Sequence, residues 1–167
     1  MARTLVIGYG NPSRNDDGVG LAVVNHLRQR LGLKTLDETT DGFDELGDEP
    51  GDALDTLFLQ QLTPELAETV AAYDRLILVD AHTGAYPDLV HRSELSPRHD
   101  PAMVSHILKP GHLLALAQQY YGKAPRAELI SVRGFDFNFG ETLSQQTAQG
   151  VEQVVQTIWD SVATQPS

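Results

Sequence analysis

Apolar residues recur along this chain in two alternating styles, short unbroken runs and longer stretches spaced by three and four. Residues 4–7 form an apolar run closed by Gly8, the mark of a buried strand. Leu21, Val24, Leu27 and Leu31 then fall at helical spacing, which predicts an amphipathic helix over about 19–31 with Gly32 as its stop. Residues 54–59 read as a second strand. Thr63 and Pro64, with Glu65 behind them, open a helix running to about residue 73, with Thr63 as N-cap and Pro64 at the first helical position. The run 76–79 is wholly apolar and ends at Asp80, as a central parallel strand would. Residues 89–93 and 128–132 supply further strands, and residues 135–140 a loop or short edge element. Pro110 opens a helix carrying Leu113, Leu114, Leu116, Ala117 and Tyr120, stopped by Gly122. A closing helix over 143–162 carries Val151, Val154, Val155, Ile158 and Trp159 on one face.

Strands alternating with helices predict an α/β fold: one domain, a three-layer sandwich with a mostly parallel central sheet and helices on both faces. The expected domain spans residues 1–162, with an acidic loop at about 37–55 and a tail over 163–167. No internal repeat is visible.

Charge changes the picture in one place. The chain has 167 residues and a net charge of −11, which argues against a nucleic-acid partner, since a polyanion needs a cationic footprint. Between Lys34 and Arg75 there is no Lys, Arg or His, yet 12 of the 23 carboxylates lie there. That block reads as a solvated loop, or as a docking surface for a basic partner. No run approaches the roughly 20 apolar residues of a membrane span, and the start Met-Ala-Arg-Thr lacks the features of a signal peptide. The absence of cysteine rules out disulfides, thiolate metal sites and a cysteine nucleophile, and fits a cytoplasmic protein.

Ligands of open α/β sheets gather at the carboxyl ends of the strands. Three segments bring polar groups there: residues 8–20 after the first strand, Asp80 to Gly84 after the central one, and Ser105-His106 before the Pro110 helix. Gly8 and Gly10 begin a dinucleotide fingerprint, but Ser13 stands at the third glycine position and Asp16-Asp17 would repel a pyrophosphate. Asp16 has two readings, a helix N-cap or a functional carboxylate. Asp80, at the end of a buried strand, loses hydration unless a partner compensates. Of the six histidines, His26, His91, His99 and His112 stand in polar surroundings, His82 adjoins the presumed site, and His106 is the candidate that carboxylates can reach. Two carboxylates and an imidazole suit a divalent ion with open positions. The zincin motif and the nucleophile elbow are absent.

The run Gly8-x-Gly10-Asn11 followed by Asp16-Asp17-Gly18-x-Gly20, together with an apolar strand entering Asp80-Ala81, resembles the [NiFe] hydrogenase maturation proteases. These enzymes remove a C-terminal extension from the hydrogenase large-subunit precursor. The resemblance covers most of the chain, from Leu5 to about Trp159. It implies a metal-ligating triad of Asp17, Asp80 and His106, with Asp17 standing where relatives often have Glu. It also implies that the nickel is supplied by the substrate, so that the isolated protein carries none. Either a metal-bound water would attack, or a carboxylate such as Asp16 would act as general base beside the triad. Gln60-Gln61-Leu62 is similar to the His-Gln-Leu form of the branch serving bidirectional, NAD-linked hydrogenases, with Gln60 in place of His. The resemblance thus implies a monomeric, cytoplasmic endopeptidase acting on a hydrogenase precursor. The same triad would also serve a non-catalytic, nickel-dependent chaperone.

Overall fold

The computed structural model describes residues 2–39, 54–98 and 108–163. In chain order the elements are β1 (Thr4–Tyr9), a 3-10 turn (Asn15–Gly18), α1 (Val19–Arg30), β2 (Leu54–Leu59), α2 (Leu66–Ala71), β3 (Arg75–His82), β4 (Val90–Leu95), α3 (Pro110–Tyr121), β5 (Arg126–Arg133) and α4 (Gln145–Ala163). The sheet order is β2-β1-β3-β5-β4. The first four strands of that order are mutually parallel, and β4 runs antiparallel to β5 at one edge. The α/β architecture read from the sequence is therefore the one observed.

Strand alternation divides the core into two layers. Leu5 and Ile7, Leu57, Leu76 and Leu78, and Ala127 pack on α2 and α3 through Leu66, Val70, Leu113 and Leu114. Val6, Ile77 and Val79, and Ile130 and Val132 pack on α1 and α4 through Val23, Leu27, Val151, Val154 and Ile158. Burying such side chains stabilises the fold by about 1.5–3 kcal/mol each before entropy is counted.

The strand read over 54–59 is found as β2, while other boundaries shift. β3 continues past the apolar run 76–79 through Asp80 to His82, because β5 keeps pairing with it: Asp80 faces Ser131 and His82 faces Arg133. Polarity ends the apolar run without ending the ladder. The helix expected from Pro64 begins at Leu66, with a turn closed by Leu66 N–H on the Thr63 carbonyl, and no side chain caps it. Asp55, placed at the end of the acidic loop, belongs to β2, where its carboxylate accepts from the Tyr73 hydroxyl at 2.6 Å. The rest of that loop, residues 40–53, lies outside the described residues, as do His99, Ser105, His106 and most of the tail, residues 164–167. Among the described residues no helix is long and apolar enough to cross a membrane.

Candidate active site

Alternation decides which polar side chains meet at the carboxyl edge. Tyr9 ends β1, Asp80 and His82 end β3, and Ser131 and Arg133 end β5. Each lies an even number of residues beyond the apolar residues that face α2 and α3, so all five share that side of the sheet. Leu108, where the described chain resumes before α3, is buried in the same layer.

The loop after β1 carries Asp17 to this edge by backbone contact. A Cβ on Gly8 would lie 2.1 Å from the Gly20 carbonyl oxygen, so β1 and the start of α1 touch main chain to main chain. Gly10 adopts φ +137°, a conformation side chains resist. With the loop folded this way, the Asn11 N–H donates to Asp17 Oδ2 at 2.8 Å, and Asp17 sits in the 3-10 turn leading into α1. The glycines of the motif thus make a tight return that fixes a carboxylate. The pyrophosphate cradle considered from the sequence has two adjacent acids in its place.

Asp80 is held from two sides. Tyr9 donates its hydroxyl to Oδ2 at 3.0 Å, and the Ser131 hydroxyl donates a short bond to Oδ1. Burial pushes the Asp80 carboxyl above its ordinary pKa. The bonds from Ser131 and Tyr9 and the nearby His82 oppose this, while the negative charge of Asp17 adds to it. Burial and Asp80 in turn push the Tyr9 hydroxyl up, so Tyr9 remains a donor. Two carboxylates that repel each other, one of them partly desolvated, form an arrangement that a divalent cation relieves. Among the described residues no third His, Cys, Asp or Glu completes a metal-ligating group with them. The third expected ligand, His106, lies outside the described residues.

Asp16 has a different place. It is 0% exposed. Its carboxylate accepts from the N–H groups of Phe135 (2.7 Å), Asp136 (3.0 Å) and Ser144 (2.7 Å) and from the Ser144 hydroxyl (2.7 Å). Burial raises its pKa, but these four bonds outweigh burial and hold the carboxyl below its usual range. Fully buried and bonded four times within the protein, this carboxylate is shielded from solvent, which speaks against the general-base reading of Asp16. It is not an N-cap either, since no side chain caps the 3-10 turn or α1. It ties the first loop to residues 135–144.

His82 is buried at the edge beside Asp80. Its Nδ1 accepts from the Gly84 N–H at 3.1 Å, and the Asp88 backbone also bonds to the ring. Burial lowers its pKa, and Arg133 acts in the same direction. Its ring meets Tyr86 edge-on, and Tyr86 stacks on His91 at 3.7 Å. His26 is exposed on α1, and His112 is half-buried on α3. Tyr9, Ser131 and Arg133 were missed in the sequence. Following the strand alternation through and just past the runs 4–7 and 128–132 would have found them.

A carboxyl-edge pair of acids on a parallel sheet defines the site, and the fold around it has solved counterparts. No protein-family model matches the sequence, and no curated protein matches it significantly. Among solved structures, the chain is similar to the [NiFe] hydrogenase maturation protease HycI from Thermococcus kodakarensis, with 17% identity, TM-score 0.66, and 98% of this chain and 94% of that one covered. It is similar to the hydrogenase maturating endopeptidase HybD from E. coli, at 19% identity, TM-score 0.64 and coverage of 96% and 92%. A hydrogenase 2 maturation peptidase from Thaumarchaeota archaeon SCGC_AB-539-E09 matches at 20% identity, TM-score 0.61 and coverage of 98% and 99%. The chain has the fold of the hydrogenase maturation proteases over nearly its whole length.

Proposed function

We propose that this protein is an endopeptidase that removes the C-terminal extension of a nickel-loaded [NiFe] hydrogenase large-subunit precursor. The observation that carries the reading is the meeting of Asp17 and Asp80 at the carboxyl edge of a sheet shared with proteins named as hydrogenase maturation proteases. In this reading the nickel belongs to the substrate, and Asp17, Asp80 and His106 complete its coordination. Hard carboxylate oxygens and an imidazole fit a divalent first-row ion.

The chain's own residues would divide the work. Asp17, fixed by the Asn11 N–H, and Asp80, fixed by Tyr9 and Ser131, present their oxygens without needing to reorganise. Nickel held there would polarise the scissile carbonyl or a water beside it. Asp16 keeps the Asp17 loop in place and stays out of the chemistry.

Gln60 and Gln61 are exposed at the carboxyl end of β2, and Leu62 is buried beneath them. The likeness of Gln60-Gln61-Leu62 to the His-Gln-Leu form is the ground for proposing the branch that serves bidirectional, NAD-linked hydrogenases. The reading takes the protein to act as a monomer in the cytoplasm.

The test is incubation with precursor loaded with nickel and with precursor lacking it. Shortening of the loaded form alone is expected. If neither form is cut, the endopeptidase reading is wrong, and a stable complex with the tail intact would point to a chaperone instead.

A further inference from the structure

Arg133 stands out among the described cations by a buried Nε that has no hydrogen-bond partner. Arg75 and Arg92 bond to Glu128 at 3.1 and 3.0 Å. Arg14 donates to the Phe137 carbonyl, Arg28 to the Lys34 carbonyl and Arg30 to Gln156. Arg133 differs. Its Nε is buried with no hydrogen-bond partner, and among the described residues no carboxylate lies within ion-pair distance of it, although the chain carries 23.

Its place is defined from three directions. It pairs with His82 across the β3–β5 ladder, two residues beyond the Ser131 that holds Asp80. A terminal guanidinium nitrogen lies 3.5 Å from where a Cβ on Gly84 would stand. Its guanidinium carbon sits 5.1 Å over the Phe135 ring, a cation–π contact that orients the plane without consuming its N–H donors. Phe135 is 47% exposed, and Phe139 in the same loop is 91% exposed. A half-buried cation whose Nε has no partner, laid on an aromatic ledge two residues beyond the Ser131 that holds Asp80, is suited to an incoming anion.

Resting on the proposed endopeptidase reading, we propose that Arg133 is a specificity-determining residue that binds a carboxylate side chain of the precursor near the bond to be cut. The chain's net charge of −11 and the Asp17–Asp80 pair would repel such an acidic side chain. Arg133 supplies the local attraction that admits it, through the terminal nitrogens that take carboxylates two at a time. The exposed rings of Phe135 and Phe139 would take the apolar neighbours of that acid.

The test uses the full-length protein and nickel-loaded precursor, measuring both equilibrium binding and cleavage for wild type, Arg133→Met and Arg133→Lys. Met keeps the apolar stem over Phe135 and removes the donors. Arg133→Met is expected to weaken precursor binding and raise KM about tenfold with kcat within about twofold of wild type, and Arg133→Lys to recover part of the loss. Changing the acidic residues near the scissile bond of the precursor to amides should, at one position, reproduce the loss in wild type and add nothing in Arg133→Met. Wild-type binding by Arg133→Met overturns the proposal. So does a fall in kcat and melting temperature together, which would mark Arg133 as a support for the 134–140 loop. Failure of wild type to cut counts against the endopeptidase reading alone, because the binding ratio of the variants still decides the role of Arg133.

Discussion

Asp16 and Asp17 are neighbours in sequence and opposite in circumstance. Asp16 is fully buried, with its carboxylate bonded four times to Phe135, Asp136 and Ser144. Asp17 is half-buried, accepts the Asn11 N–H, and faces Asp80 closely enough to raise its pKa. The first is an anion satisfied by its own protein. The second is part of a pair whose mutual repulsion the protein leaves standing. What separates the structural carboxylate from the one proposed to act on the precursor is the number of donors assigned to it, and residue type says nothing about that.

The largest expected effect falls on the structural side. Asp16→Ala would strand three part-buried backbone N–H groups that bond to a fully buried carboxylate, and at about 1–3 kcal/mol for each unsatisfied group the loss should reach several kcal/mol. Denaturant unfolding checks this, and a variant as stable as wild type would break the contrast between the two acids. Next come Asp17→Ala and Asp80→Ala. Each should lower precursor cleavage about a hundredfold or more, equivalent to roughly 3 kcal/mol, while leaving the melting temperature near that of wild type. If either variant unfolds as readily as Asp16→Ala, that residue belongs with the structural class.

Tyr9→Phe is a gentler probe. It removes one of the two side-chain donors to Asp80, worth about 1 kcal/mol, so cleavage should fall roughly fivefold with the fold intact. An unchanged rate would show that Ser131 alone positions the carboxylate.

The smallest effect concerns acid. The folded pKa of Asp16 lies below its ordinary value, so the bonded anion stabilises the fold above the unfolded pKa of about 3.9. That stability is lost as pH falls through the folded value. Wild type should therefore lose stability below about pH 4 more steeply than Asp16→Asn. Matching acid profiles for the two proteins would show that Asp16 does not contribute through its charge.

Much of this organisation was legible in the sequence. The run 76–79, the helical spacing of Leu21 to Leu31 and the apolar face from Val151 to Trp159 gave the elements, because buried surfaces impose their period on the chain. Asp80 could be found because a carboxylate closing an apolar run is physically conspicuous. Tyr9, Ser131 and Arg133 were hidden for the converse reason: each stands in or just after its run as an ordinary polar or aromatic residue, and only the β1–β3–β5 order brings them together. The two roles of Asp16 and Asp17 were equally hidden. That of Asp16 depends on residues 135–144, more than a hundred positions away, and that of Asp17 on Asp80, and no local pattern reports contacts at such range.

The central claim is that Asp80, presented with Asp17, acts directly in cutting the precursor. The most direct measurement is single-turnover cleavage of nickel-loaded large-subunit precursor by wild type and by Asp80→Asn, an isosteric change that keeps a side chain between Tyr9 and Ser131. Shortening of the precursor by wild type, with none by a folded Asp80→Asn, is the predicted result. Equal cleavage by both proteins would contradict the account.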